Sequence, residues 1–295
     1  MTARVETWTG VQVALPDLFA VDEPSAADTA DADYSSPRPE MDTIIANRYR
    51  LIRPMSGTST GFLAHDLTLG RQVQVAIASD PADPDAFDGH ATSAASPNDW
   101  ILQSPDRVGA LAELNHPSLP KPLDAGLLQD GRTFVVTAYG SGHALVDVFT
   151  ATSVAPSAAF LSTVTSVLSG LLAYLHERGY GHRGLTAESV RISTLVSSGT
   201  DIRVEVGLLG LYRTGESGAH GSRLAQQSAA DDVAALGQVL LATFAGADRR
   251  ARHRKGSGAG TSWPVAWRGA LLEMTASDAA ARPTAADVQR MFRLR

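Results

Sequence analysis

Cysteine is absent from all 295 residues. That excludes disulfides, thiolate metal sites and a cysteine nucleophile together, and it fits a reducing compartment. Long apolar runs are missing as well. No window approaches eighteen consecutive apolar residues, and the start, MTARVETWTGVQVALPDLF, lacks the basic and apolar regions of a signal peptide. The sequence therefore reads as a soluble, cytoplasmic protein with no membrane insertion. Positive charge is not in excess either: the formal balance is −6, which gives no argument for nucleic-acid binding.

The charge lies unevenly. Residues 1 to 42 hold nine acids against Arg4 and Arg38, so the tail carries −7 and the rest of the chain is near neutral. This tail, residues 1–43, is rich in Asp, Ala, Ser and Pro and reads as disordered. Its one apolar cluster, Val11, Val13, Leu15, Leu18 and Phe19, is too small for a core and reads alternatively as a segment that folds on a partner.

From Ile44 the pattern changes to β-branched and aromatic runs punctuated by glycine. IIANRYRLIRP and GFLAHDLTLGRQVQVAIAS read as three antiparallel strands, with a hairpin turn at Leu69-Gly70 and Val73, Val75 and Ile77 on one face. Residues 79–99 are crowded with Pro, Asp and Ser and read as a loop. Trp100 to Leu114 has helical spacing, and two more strands turn at Asp130-Gly131. After Ser141 the pattern is mainly helical. Leu161, Val164, Leu168, Leu171, Leu172 and Leu175 give one apolar face on a long helix ending near Gly179. Two short strands follow, Val190 to Ser193 and Ile202 to Val206. Ser228-x-x-Asp231 and Thr284-x-x-Asp287 then have capping-box spacing ahead of two further helices.

The stretch from Tyr180 to Ser189, YGHRGLTAES, gives this order its meaning. It resembles the protein-kinase catalytic loop, which reads H-R-D-L-x-x-x-N. Six other segments resemble landmarks of the bacterial Ser/Thr protein-kinase family in the right order. RYRLIRP is similar to the opening strand and QVQVAIA to the strand carrying V-A-I-K. LNHPSL is similar to the segment after helix C, YLHERG to the end of helix E, and DDVAALG to the start of helix F; ARPT resembles the Arg-Pro before the last helix. The resemblance covers about Asn47 to the C-terminus. It implies an α+β, two-lobed protein-kinase-like fold, with an antiparallel-sheet N-lobe over residues 44–139 and a mainly helical C-lobe over 140–295.

It also implies that the reactive positions are degenerate. The nucleotide-binding lysine falls at Ala78 and its helix-C glutamate partner, counted back from His116, at Arg107. The catalytic aspartate falls at Gly184, the catalytic-loop lysine at Thr186, the metal-binding asparagine at Ser189 and the metal-binding aspartate of D-F-G at Leu208. Glycine has no group that accepts a proton, and Mg²⁺ demands carboxylate or phosphate oxygens. Of the glycine-rich loop only Gly57 and Gly61 remain, a pair that reads as a β-turn before it reads as a phosphate cradle. The vestigial cleft would consist of Gly57, Gly61, Ala76, Thr137, Ala138 and Tyr139, with the hinge at Ala138-Tyr139-Gly140.

Structural positions of the family persist: His182 as a scaffold histidine, Asp232 as a clamp on the catalytic-loop backbone, and Arg282, whose A-P-E glutamate is absent and for which Asp278 is a local alternative. Arg249, Arg250, Arg252, Arg254 and Lys255 form a basic run that reads as a solvated loop or as a partner-docking surface. The expectation is a catalytically inactive pseudokinase without cofactor or metal. It would act as a regulatory or scaffolding module in Ser/Thr kinase signalling and bind a kinase or a phosphothreonine-binding domain. The alternatives are a Mg²⁺-independent nucleotide switch and an atypical kinase with displaced catalytic residues.

Overall fold

A computed structural model describes residues 42–55, 60–78, 101–140, 142–151, 158–194, 202–208, 210–214, 219–253 and 265–292. All belong to the second of two compact units, Ser36–Arg295. The acidic tail up to residue 41, the loop 79–99, Gly57, Arg254 and Lys255 lie outside the described residues.

The N-terminal half is a six-stranded antiparallel sheet, in the order β1-β2-β3-β4-β6-β5. Its strands are β1 (Ile44–Ile45), β2 (Tyr49–Pro54), β3 (Gly61–Asp66), β4 (Arg71–Ile77), β5 (Pro122–Leu127) and β6 (Thr133–Ala138). Both expected hairpins form, each closed by a glycine in the left-handed region: Gly70 at φ 61° and Gly131 at φ 84°. Alternation on β4 separates two clusters. Val73, Val75 and Ile77 face Tyr49, Leu51, Phe62 and Phe134, while Ala76 and Val135 face the other way into the main core. Asp66 holds the β3–β4 hairpin. Its Oδ1 accepts from the Arg48 Nε at 2.9 Å and from the Thr68 and Leu69 amides, and its Oδ2 accepts from Arg48 Nη2 at 2.8 Å.

Helix α1 (Pro105–Ala112) packs beside β5 and β6. It is shorter than the spacing over Trp100–Leu114 suggests, because Pro105 fixes its first turn and Ser104 caps it, accepting from the Asp106 amide. Ile101, Val108, Leu111 and Leu114 are nevertheless buried as that spacing requires.

The C-terminal half contains α2 (Leu145–Ala151), α3 (Ala158–Glu177), α4 (Ala219–His253), α5 (Val265–Met274) and α6 (Ala285–Met291). Two small sheets accompany them, β10-β9-β7 and β11-β8. Their strands are β7 (His143–Ala144), β8 (Tyr180–His182), β9 (Val190–Thr194), β10 (Ile202–Val206) and β11 (Leu211–Arg213). The apolar face read on α3 is buried, and Gly179 ends the helix at φ 74°. Among the described residues α3 is the one helix long and apolar enough to cross a membrane, and 44% of its apolar window is buried inside the protein.

Two sequence expectations fail on α4. Ser228 does not begin a helix, because α4 is continuous from Ala219 and Ser228 is buried within it. The Ala-, Gln- and Leu-containing stretch before it propagates the helix through the local capping signature. The basic run is likewise not all loop, since Arg249, Arg250 and Arg252 lie on the last turns of the same helix. At α6 the box does form: Thr284 accepts from the Asp287 amide, and the Asp287 carboxylate accepts from the Thr284 amide.

Candidate functional site

The site lies where the sheet meets the small strands β8 to β11. One continuous apolar cluster joins Ala76 and Val135 of the sheet to Ile101, Leu111, Leu172, Val206 and Leu208. Leu208, which the sequence resemblance sets at the metal-binding aspartate position, is 6% exposed and forms a wall of the core. With Gln74, Ala76, Ile101, Val135 and Thr137 it lines a cavity of only about 10 Å³. Pockets that bind small ligands run to about 300–1,000 Å³. Ala78, at the lysine position, is half-buried and gives its amide to the Thr133 carbonyl at 2.8 Å. Arg107 donates to Gln103 one turn back on the chain. Gly61 begins β3 and pairs in register with Ala76.

In the catalytic-loop stretch, Thr186 and Ser189 satisfy each other. The Thr186 amide donates to Ser189 Oγ at 2.9 Å, Ser189 Oγ donates to the Thr186 carbonyl at 3.0 Å, and the Ser189 amide donates to Thr186 Oγ1 at 3.2 Å. The one proton of the Ser189 hydroxyl is thereby committed to the loop itself. Gly184 lies under Gly210: a Cβ on Gly210, which has φ 98°, would sit 2.6 Å from the Gly184 nitrogen. The Arg183 amide closes this contact by donating to the Gly210 carbonyl at 3.0 Å. Among the described residues no group of three His, Asp or Glu side chains could hold a metal ion.

The structural positions are densely bonded. Asp232 is 1% exposed; its Oδ2 accepts from the His182 amide at 2.8 Å and lies 2.9 Å from His176 Nε2. His182 is fully buried, and its Nε2 donates to the Gly207 carbonyl at 2.9 Å. The Arg183 guanidinium lies 4.4 Å from the centroid of the Tyr212 ring. Burial, with the Asp232 carboxylate adding to it, pushes the Tyr212 phenol up to about 12.

Arg282 does not pair with Asp278, which instead caps a short 3₁₀ turn by accepting from the Ala280 amide. Its Nη1 donates to Asp231 Oδ1 at 2.8 Å and its Nε to the Ala276 carbonyl at 2.8 Å. An aspartate on α4, immediately before the clamp residue, thus takes the arginine.

Two side chains at the hinge had no part in the sequence reading. Arg191 donates to the Gly142 carbonyl and to Tyr139 Oη, and Glu205 lies against Gly140. The available signal was a charged residue between two valine- and isoleucine-type core positions, Val190-Arg191-Ile192, which marks a strand with one polar face.

No family model and no curated protein matches the chain. Solved structures do. The Mycobacterium tuberculosis PknI kinase domain is 18% identical at a TM-score of 0.55, covering 86% of this chain and 98% of that one. A double mutant of the same domain gives 19% and 0.58 over 86% and 97%. The chain has a protein-kinase-like fold. The Rad53 kinase domain, solved with SCD2 and AMPPNP, gives 15% identity and a TM-score of 0.53 over 84% of this chain and 91% of that one. In kinase-like terms, the sheet half corresponds to the N-lobe and the mainly helical half to the C-lobe. The segment from Gly210 to the start of α4 at Ala219, where kinases place the activation loop, is under ten residues long.

Proposed function

We propose that this chain is a pseudokinase: a cytoplasmic, kinase-shaped module that performs no phosphoryl transfer and works by binding a protein partner in Ser/Thr kinase signalling. The observation that carries this reading is the joint state of the five positions that do the chemistry in kinases. Ala78 supplies no cation and Gly184 no base. Thr186 and Ser189 are bonded to each other, and Leu208 is packed into the core.

Phosphoryl transfer relies on charge stabilisation at all of these places together. Losing one such donor typically costs about 2.7–4 kcal/mol in the barrier, and losing a general base about 10²–10⁴ in rate. The short segment between β11 and α4 supports the same reading, since it leaves little chain for an activation loop or its phosphosite. The partner we assign is a Ser/Thr kinase or a phosphothreonine-binding domain.

The experiment is affinity capture from the native cytoplasm with the wild-type chain and with a G184D/S189N double variant as baits, each with and without Mg·ATP. The same stoichiometric partner on both baits, whether or not nucleotide is present, supports the reading. Capture that requires Mg·ATP, or that changes with the catalytic-loop residues, contradicts it.

A further inference from the structure

The polar face of the β9–β10 pair is not used by the reading above. Val190, Ile192, Val204 and Val206 are buried in the helical core, so the alternate residues Arg191, Arg203 and Glu205 project from the opposite face, toward the hinge. Arg191 and Glu205 stand directly across from each other in register.

Together they meet Tyr139 and Gly140 of the hinge and Gly142 just beyond it. Arg191 Nη2 donates to the Gly142 carbonyl and lies 3.3 Å from Tyr139 Oη, and its guanidinium carbon is 5.0 Å from the centroid of the Tyr139 ring. Glu205, steadied by Arg203 at 2.8 Å, presses so close that a Cβ on Gly140 would lie 2.2 Å from its Oε2. A Cβ on Gly142 would be 2.7 Å from the Ile192 carbonyl oxygen.

We propose that Arg191 is a built-in occupant of the hinge, filling the place where a purine base would bond and holding Tyr139 and Gly142 against β9. A planar guanidinium that donates to a hinge carbonyl beside an aromatic ring makes the same kinds of contact as the amine and ring of a purine. The side chain is tethered, so a free base must displace it to bind. The site it closes would take the base and not the phosphates, because Ala78 offers no cation to them.

The test uses the full chain as wild type, R191L and R191K, titrated calorimetrically with adenosine and with ATP, with and without Mg²⁺. Amide hydrogen exchange is followed over residues 138–144. Hydrogen bonds from a charged donor are each equivalent to about ten- to a hundredfold in an equilibrium constant, so R191L gains at least about tenfold in affinity over wild type. The gain is equal for adenosine and ATP and independent of Mg²⁺, R191K falls between, and exchange at the hinge quickens. Wild type binding adenosine as tightly as R191L overturns the proposal, as does a folded R191L that binds neither ligand or leaves hinge exchange unchanged. If R191L does not fold, R191K decides by the same outcomes, since an ammonium cannot reproduce the planar fork. Phosphoryl transfer is not read in any arm, so the result stands apart from the reading above.

Discussion

Replacing Asp232 by alanine removes the one acceptor shared by the His182 amide and His176 Nε2, at 2.8 and 2.9 Å, in a position only 1% exposed. A buried donor left without a partner costs about 1–3 kcal/mol, so two give about 2–6 kcal/mol. Part of this is offset. Asp232 Oδ1 has no protein partner, and removing a half-satisfied buried carboxylate recovers some desolvation energy. The net expectation is about 2–4 kcal/mol, which for a body of this size lowers Tm by about 4–16 °C.

Asparagine separates geometry from charge. With its side-chain oxygen at the Oδ2 position it still accepts from both the His182 amide and His176 Nε2, while its NH₂ replaces Oδ1, which has no protein partner. D232N should therefore lose only about 1 kcal/mol, or about 2–4 °C. Circular-dichroism melts of the three proteins at one pH provide the comparison. A D232A variant within about 1 °C of wild type, or a D232N variant less stable than D232A, would refute the reasoning.

The remaining predictions concern the sheet and the glycine contact. The Arg48 guanidinium and the hairpin amides hold the Asp66 carboxyl at about 2, below its ordinary 3.8, so its contribution is full above pH 3.8 and is lost as pH falls toward 2. The difference in urea midpoint between wild type and D66N should shrink across that window, and a difference constant down to pH 2 would contradict the assignment. G210A should be more destabilising than G131A. Both residues have positive φ, a strain of about 1–3 kcal/mol for alanine, but only at Gly210 does the new Cβ also strike backbone, at Gly184. Equal losses in Tm would show that the close approach to Gly184 does not matter.

Much of the fold was legible because its signals are local. The two hairpins were marked by Gly70 and Gly131, α3 by its apolar period, and the α6 box by Thr284 and Asp287. Local signals also misled. Ser228 and Asp231 have the spacing of a cap, yet the residues before them are good helix formers and α4 runs through. What could not be read depends on long-range pairing. Arg282 finds Asp231 51 positions away rather than its neighbour Asp278. The pairing of β8 with β11 rests on three residues a side. At the candidate site the sequence supplied the positions to look at, but not what the chain does with them. That Thr186 and Ser189 bond to each other, that Leu208 joins the core, and that Arg191 reaches the hinge all follow from packing.

The central claim is tested most directly by incubating the purified full chain with [γ-³²P]ATP and Mg²⁺ or Mn²⁺, with and without generic protein substrates, and counting label in protein. The account predicts no incorporation above a no-enzyme control by wild type or by G184D, because groups that act as a unit are not rescued singly. Metal-dependent incorporation by wild type that disappears on mutating Thr137 or Ala76 to a bulky residue would contradict it.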